Sequence, residues 1–352
     1  MEALREQFPV LERLAFLNAG TDGPVPRAAV AAAREGLEEQ AENGRYGPHF
    51  AARAELQTRL RESYARVLNA AADDVALTTS TSEGLGKVLA GFDLGPGDEI
   101  VTSDSEHPGL VGPLIAARAR GVTITAVSLS QVADAVTGRT TLVACSHVSW
   151  VTGEVAPTAL KETGVPVVFD GAQGAGAIPV DVRALGCAAY AGSGQKWMCG
   201  ADGTGMLYVE PALRERLRVV APSWVCFEDT TRGLDSALHD DGRRFDAPSL
   251  SREACAFSLA SARVLDDAGD IHARAAALAS QLAAELADRG RTVAPRHETT
   301  LVSWHDNDAP ATRDRLAAAG VVIRDLPGTG LVRASVGAWN DESDLERLLS
   351  AL

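Results

Sequence analysis

The rhythm of hydrophobic and polar positions changes along the chain. Residues 27–43 and 51–68 are rich in Ala, Glu, Leu and Arg and read as helices. From residue 75 short apolar runs recur: Val75–Leu77, Glu99–Thr102, Val122–Val127, Thr141–Cys145, Val165–Phe169 and Met206–Val209. Helix-like stretches such as 108–120 separate several of them. Apolar strands alternating with helices predict an α/β domain around a mostly parallel sheet. After about residue 235 the texture shifts. Ile271, Ala275, Leu278, Leu282 and Leu286 are spaced 4, 3, 4 and 4 residues apart, one face of a helix over 271–289 that Gly290 stops. Val332, Ala334 and Val336 alternate as a strand. Asn340 is expected to cap a closing helix with acidic residues in its first turn and Leu345, Leu348, Leu349 and Leu352 on one side. The expected division is a large α/β domain over 16–235 and a smaller α+β domain made from 1–15 and 236–352.

Composition adds limits. Hydrophobic residues make up 46% and charged residues 23% of the 352, the balance of a soluble globular protein. No stretch approaches the roughly 20 apolar residues that cross a bilayer. The formal net charge of −14 disfavours nucleic acid and anionic lipid as partners. The five cysteines form no CxxC pair, and residues 1–15 lack the apolar centre of a secretion signal. Free thiols and a cytoplasmic location are therefore expected. There is no HExxH or CxxC spacing, so no metal site is expected.

The chemistry concentrates in two stretches of 167–209, VVFDGAQGAGAIPVDV and AGSGQKWMCGADGTGMLYV. Asp170 ends an apolar run, which places it at the C-terminal end of a buried parallel strand, where open α/β sheets bind ligands. A carboxylate there needs a cation, and a protonated pyridine nitrogen is such a cation. Lys196, among Gly192, Ser193, Gly194, Gln195 and Trp197, is not in the setting of a solvated lysine. Partial burial would favour the neutral amine that Schiff-base chemistry requires. Upstream, TTSTSEG (78–84) turns from a strand into a helix and offers N–H groups and hydroxyls to a phosphate. His107, in SEHPG, follows the run 99–102 and could stack on a flat ring. GAQGAG lacks the GxGxxG order, GSGQKW lacks P-loop spacing, and no GxSxG occurs.

In this order, these residues resemble the class V aminotransferase family of fold type I enzymes that use pyridoxal 5′-phosphate (PLP). The resemblance runs from FLNAG (16–20) to RASVGAWN (333–340). It implies a large domain around a mostly parallel seven-stranded sheet, a smaller α+β domain, and a homodimer acting on a small amino acid. By position it implies Lys196 as the Schiff-base lysine, Asp170 facing the pyridine nitrogen, Gln173 bonding the ring's phenolic oxygen and His107 stacked on the ring. Thr81, Ser82 and Ser193 would take the phosphate, with Ser249 reaching it from the neighbouring subunit. Arg333 would clamp the substrate carboxylate, with Asn18 to Gly20 alongside. Family members usually carry His where this chain has Gln195, which can donate to phosphate but adds no charge. Trp150 replaces a frequent Asn; in this and in EHPG the chain is most similar to cysteine and cystine C–S lyases, and more distantly to cysteine desulfurases and isopenicillin N epimerase-like proteins.

Desulfurases require a mobile cysteine shortly before the Arg333 segment, and no cysteine follows Cys255. The expectation is therefore β-elimination at a C–S bond, with Lys196 taking the Cα proton and pyruvate and ammonia as products. Transamination and epimerisation begin with the same proton abstraction and stay open. So does a PLP-fold binder without turnover, although intact Lys196, Asp170 and Arg333 speak against it.

Overall fold

The computed structural model describes residues 2–352. Strand β1 (Ala15–Phe16) precedes the larger sheet, whose members are β2 (Val75–Thr78), β3 (Glu99–Ser103), β4 (Thr123–Val127), β5 (Thr140–Ser146), β6 (Val167–Asp170), β7 (Ala189–Ser193) and β8 (Gly205–Val209). Their order across the sheet is β2-β8-β7-β6-β5-β3-β4. All neighbours from β7 to β4 run parallel, and β8 lies antiparallel between β2 and β7. The mostly parallel seven-stranded α/β sheet is as expected. The run 189–193 is the strand that apolar content did not reveal. Its sequence, AYAGS, is small because the helix Thr81–Gly91 crosses it closely: a Cβ on Gly84 would lie 3.0 Å from the Ala191 Cβ.

Apolar side chains cover both faces of this sheet. One face holds Leu60, Tyr64, Val101, Phe169 and Met206. The other holds Leu85, Val88, Leu114, Leu142 and Leu207. Phe245, Leu250, Cys255, Leu259 and Ala262 belong to these two cores. Residues 245–262 thus join the core of the larger unit, although the sequence reading places them in the smaller domain. The helix Arg252–Asp266 packs against the helices Arg27–Asn43 and Gly47–Val67 and turns Cys255, Leu259 and Ala262 into the core on that side of the larger sheet, a direction that periodicity does not encode.

The smaller unit holds β9 (Leu301–His305), β10 (Val321–Val322), β11 (Arg324–Leu326) and β12 (Leu331–Ser335), with antiparallel order β11-β12-β9. β1 pairs parallel with β10, so the N-terminal segment is tied to this unit. The helix Ile271–Asp288 buries Ala275, Leu278, Leu282 and Leu286, as spacing predicts, and Gly290 follows at φ 77°. The closing helix Glu342–Ala351 is capped by Asp341, in a capping box with Asp344, and not by Asn340. The Asn340 side chain instead donates to Phe16 O (3.1 Å) and Asp344 Oδ2 (2.9 Å).

The two units are stitched by the loop after β5. Ser303 Oγ donates to Val151 O (2.5 Å), Thr299 Oγ1 donates to Gly153 O (2.9 Å), and Val155 N–H donates to His297 Nδ1 (2.7 Å). Gly153 has φ 85°, and a Cβ there would lie 2.7 Å from Thr299 Oγ1, so the docking requires glycine.

Asp344 is fully buried and holds both Arg5 (2.7 and 3.1 Å) and Asn340. Asp344→Ala strands these donors and removes half of the capping box. A loss of about 3 kcal/mol is expected, read as a lower urea midpoint by Trp304 and Trp339 fluorescence. An unchanged midpoint would show that the Arg5 tie contributes nothing.

Candidate active site

The C-terminal ends of β3, β5, β6 and β7, with the turn after β2, meet at one cavity. Its lining includes Gly20, Thr81, Ser82, His107, Trp150, Asp170, Gln173, Ser193, Gln195, Lys196 and Arg333. Eleven of the thirteen site residues expected from sequence are therefore brought together. Asn18 stands behind the lining, accepting from Thr21 Oγ1 (2.9 Å). Ser249 is exposed and does not line the cavity of its own chain.

Each position has a local cause. After β2, Ser80 accepts from Glu83 N–H (3.1 Å) and caps the helix Thr81–Gly91, whose start brings Ser80, Thr81 and Ser82 to the cavity lining. The Thr81 and Ser193 hydroxyls meet at 2.7 Å, joining this turn to the end of β7. After β3, the buried Glu106 carboxylate accepts from Ser103 Oγ (2.5 Å), Ser146 N–H (2.9 Å) and Ser146 Oγ (2.5 Å), fastening the loop to β5. His107 follows. Its Nδ1 accepts from Gly109 N–H (3.1 Å), and burial pushes its pKa down to about 4, with Lys196, Arg324 and Arg333 adding to the effect. The ring is neutral at physiological pH. Trp150 meets its edge, with ring centroids 5.2 Å apart, and donates Nε1–H to Ser105 O (2.8 Å).

Asp170 is buried at the end of β6 and accepts one backbone N–H, from Ala172 (3.0 Å). Burial raises its pKa; Lys196 and that N–H oppose the rise. Lys196 keeps some surface toward the cavity but is otherwise enclosed. Burial pushes its pKa down to about 8, the Asp170 charge resisting and Arg333 and Arg324 reinforcing. Gln173 is locked by a donation to Gly20 O (2.8 Å) and an acceptance from Trp197 Nε1–H (2.9 Å), which leaves one amide N–H available.

Arg333 is fully buried and donates Nη1–H to Trp150 O (2.5 Å). Its Nε and Nη2 have no partner among the described residues. Gly20 is glycine for steric reasons: a Cβ would lie 2.8 Å from Arg333 Nη2 and 2.7 Å from Ser335 Oγ. Burial, then Arg324, lowers the Arg333 pKa to about 9, still a cation at neutral pH. The sequence reading missed Arg324, which lines the cavity and meets Thr21 Oγ1 at 3.3 Å. The β11–β12 hairpin places Arg324 directly across from Arg333. The PGTG turn between them is the signal that could have revealed the pairing. No cluster suited to a metal ion occurs among the described residues.

The arrangement offers a neutral imidazole, an amine near its neutral form, a buried carboxylate, two guanidinium groups and a hydroxyl-lined helix start. This is equipment for binding an anionic molecule and moving a proton. The family model described as aminotransferase class-V matches residues 15–348. A probable cysteine desulfurase of Methanothermobacter thermautotrophicus is 32% identical over 223 residues, which is 59% of this chain and 56% of that protein. The isopenicillin N epimerase of Streptomyces clavuligerus is 28% identical over 380 residues, 96% of this chain and 93% of that protein. Among solved structures, the cystine C–S lyase C-DES in complex with its reaction product cysteine persulfide superposes with a TM-score of 0.91 at 26% identity, covering 98% of both chains. Another C-DES structure, a lysine-to-alanine mutant, carries glycine covalently linked to the PLP cofactor, with the same score and coverage.

The lowered pKa of Lys196 yields a test on the apoprotein. The folded amine is protonated below about pH 8 and neutral above it, whereas a free lysine changes at 10.5. Competitive acetylation across pH, read by peptide mapping, should show Lys196 reactivity rising through about pH 8. A midpoint at 10 or above would mean that the amine is solvated or paired.

Proposed function

The chain belongs to the aminotransferase class-V family, and on that premise we propose that it is a PLP-dependent C–S β-lyase acting on cystine or a related cysteine derivative with two anionic ends. The carrying observation is the pair of arginines, Arg333 and Arg324, opposed across one hairpin and lining the cavity that holds Lys196 and Asp170.

The residues fit PLP. Asp170 is a buried carboxylate that accepts only one hydrogen bond among the described residues, which suits a protonated ring nitrogen. Gln173 has one spare N–H for the phenolic oxygen. Thr81, Ser82, Ser193 and the helix N-terminus would hold the phosphate, and Lys196 Nζ would be the attachment point. When bound, PLP supplies an electrophilic carbonyl and a ring that accepts electron density from a substrate's α-carbon.

The protein's own residues then have separable tasks. Arg333, pre-oriented by Trp150 O, binds the α-carboxylate as a two-pronged donor. Arg324 receives the distal carboxylate of cystine. Lys196 Nζ, whose neutral form is reached through about pH 8, takes the proton from Cα. Asp170 would pair with the ring nitrogen and so favour the protonated ring. His107 cannot compete for that proton, because its pKa lies far below neutrality. Trp150 and His107 keep water from the reacting face. Loss of the Cβ–S bond and hydrolysis convert cystine and one water to pyruvate, ammonia and cysteine persulfide.

A desulfurase reading needs a protein thiolate to accept sulfur. All five cysteines are buried, and burial raises Cys145, Cys187, Cys199 and Cys255 away from the thiolate. None lines the cavity. For assembly we take the homodimer that the family resemblance implies. Support comes from the exposed apolar side chains Tyr46, Phe50, Val220 and Trp224, and from Ser249, exposed and outside its own cavity.

Two experiments bear on this reading. Borohydride reduction should fix the pyridoxyl group on Lys196, and cystine turnover should release pyruvate in step with persulfide sulfur, also in a variant whose five cysteines are replaced by Ser or Ala. Alanine as the main product, with a persulfide on a protein cysteine, would replace the lyase reading by the desulfurase one. Separately, Arg324→Met should raise KM for cystine about tenfold or more, the equivalent of about 1.4 kcal/mol, with a much smaller effect on substrates with one carboxylate. Equal effects on both would remove Arg324 from the distal subsite.

A further inference from the structure

The cavity is cationic within and acidic at its edge. Arg333, Arg324 and Lys196 line it, and Asp170 is the one carboxylate in the lining among the described residues. The turn from Asn18 to Asp22 leads the chain out of this lining: the N–H groups of Thr21 and Asp22 both donate to Asn18 O (2.9 and 3.2 Å). The neighbours of Asp22 on either side are fixed to the site. Thr21 lines the cavity, and its Oγ1 accepts from Arg324 Nη1–H (3.3 Å). Gly23 N–H donates to Gln195 O (2.8 Å), and a Cβ on Gly23 would collide with Lys196 O, so the chain lies flat against the turn that carries Lys196. Asp22 is thus held between the Arg324 contact and the Lys196 turn. Its side chain is open to solvent and forms no ion pair among the described residues. Partial burial and the charge of Asp202 raise its proton affinity, while Lys196 and Arg324 oppose the rise. The carboxylate therefore stands in the field of both cations without being bridged to either.

Cystine brings two charged groups to this edge. Its distal carbon carries a carboxylate, assigned above to Arg324, and an ammonium group. Beside Arg324 alone that ammonium would be repelled; a free carboxylate next to the arginine cancels the repulsion and adds an attraction. We propose that Asp22 is the specificity residue for the distal ammonium of the substrate, so that Arg324 and Asp22 together select a complete amino-acid end. The inference rests on the lyase reading given above, with Arg324 as its distal carboxylate site. Asp22 has no task in the proton transfer. Because its side chain meets water, its effect is modest in size and falls on the choice between substrates.

The test compares three disulfides of cysteine as substrates of the holoenzyme, with pyruvate as the readout. Cystine carries both distal groups. The mixed disulfide with 3-mercaptopropionate keeps the distal carboxylate and lacks the ammonium. The mixed disulfide with cysteamine keeps the ammonium and lacks the carboxylate. In Asp22→Asn, kcat/KM for cystine should fall about fivefold relative to that for the mercaptopropionate disulfide, mainly through KM, and the cysteamine disulfide should fall with cystine. Arg324→Met should give the converse order, with cystine and the mercaptopropionate disulfide falling relative to the cysteamine one. Asp22→Ser serves as a second variant with the same expected ratios. Ratios left unchanged by both Asp22 variants would overturn the inference while leaving the lyase reading intact. If the wild-type protein releases no pyruvate from any of the three disulfides, the lyase reading itself fails, and the role of Asp22 with it.

Discussion

Asp170 and Lys196 are opposite charges withdrawn from water at the ends of neighbouring parallel strands, and the architecture around them answers that circumstance. Neither is comfortable alone: burial drives the acid toward its protonated form and the amine toward its neutral form. The sheet must hold them close enough to feel one another, yet leave Asp170 with spare acceptor capacity and Lys196 without a hydrogen-bonded lock. β6 and β7 achieve this by being adjacent and parallel, so both chains emerge on the same side. The loops that follow then have only short distances to cover, and the turn after β2 joins them through a single hydroxyl contact to Ser193.

Electrostatics inside the cavity run in one direction. Burial lowers the proton affinity of His107 and of Lys196, and the positive charge of Arg333 and Arg324 lowers both further. An incoming carboxylate relieves that crowding. Substrate binding thus changes the proton affinity of the amine that must act next, a coupling that follows from charge placement alone and needs no movement of the backbone.

Much of this was legible because burial leaves marks on composition. An acid directly after four apolar residues, as at Asp170, has few structural explanations, and a lysine among glycines, serine and tryptophan has few more. The alternation of strands and helices gave the sheet. What escaped was set by contacts across the chain. β7 reads as AYAGS, because a helix passes too near for branched side chains, so the strand lacks the apolar weight by which strands are recognised. Arg324 owes its place to hairpin register, a property of pairing and not of either strand's content. The helix Arg252–Asp266 is amphipathic in either domain, and only packing shows which core it joins. Asp341 took the capping role from Asn340 because Asn340 is occupied by Phe16 O, 324 positions away.

The stitching of the loop after β5 to the smaller unit bears on how this molecule can be recombined. Trp150, which stands against His107, and Arg333, whose guanidinium it holds, come from different units but share one hydrogen bond, and Val151, Gly153 and Val155 extend the seam. Genes of such two-part proteins are often imagined as exchangeable modules. Here a graft of the smaller unit from another relative would bring its own arginine but leave behind the carbonyl that aims it. Residues 149–155 are, in that sense, heritable property of the C-terminal half, although they lie in the middle of the chain.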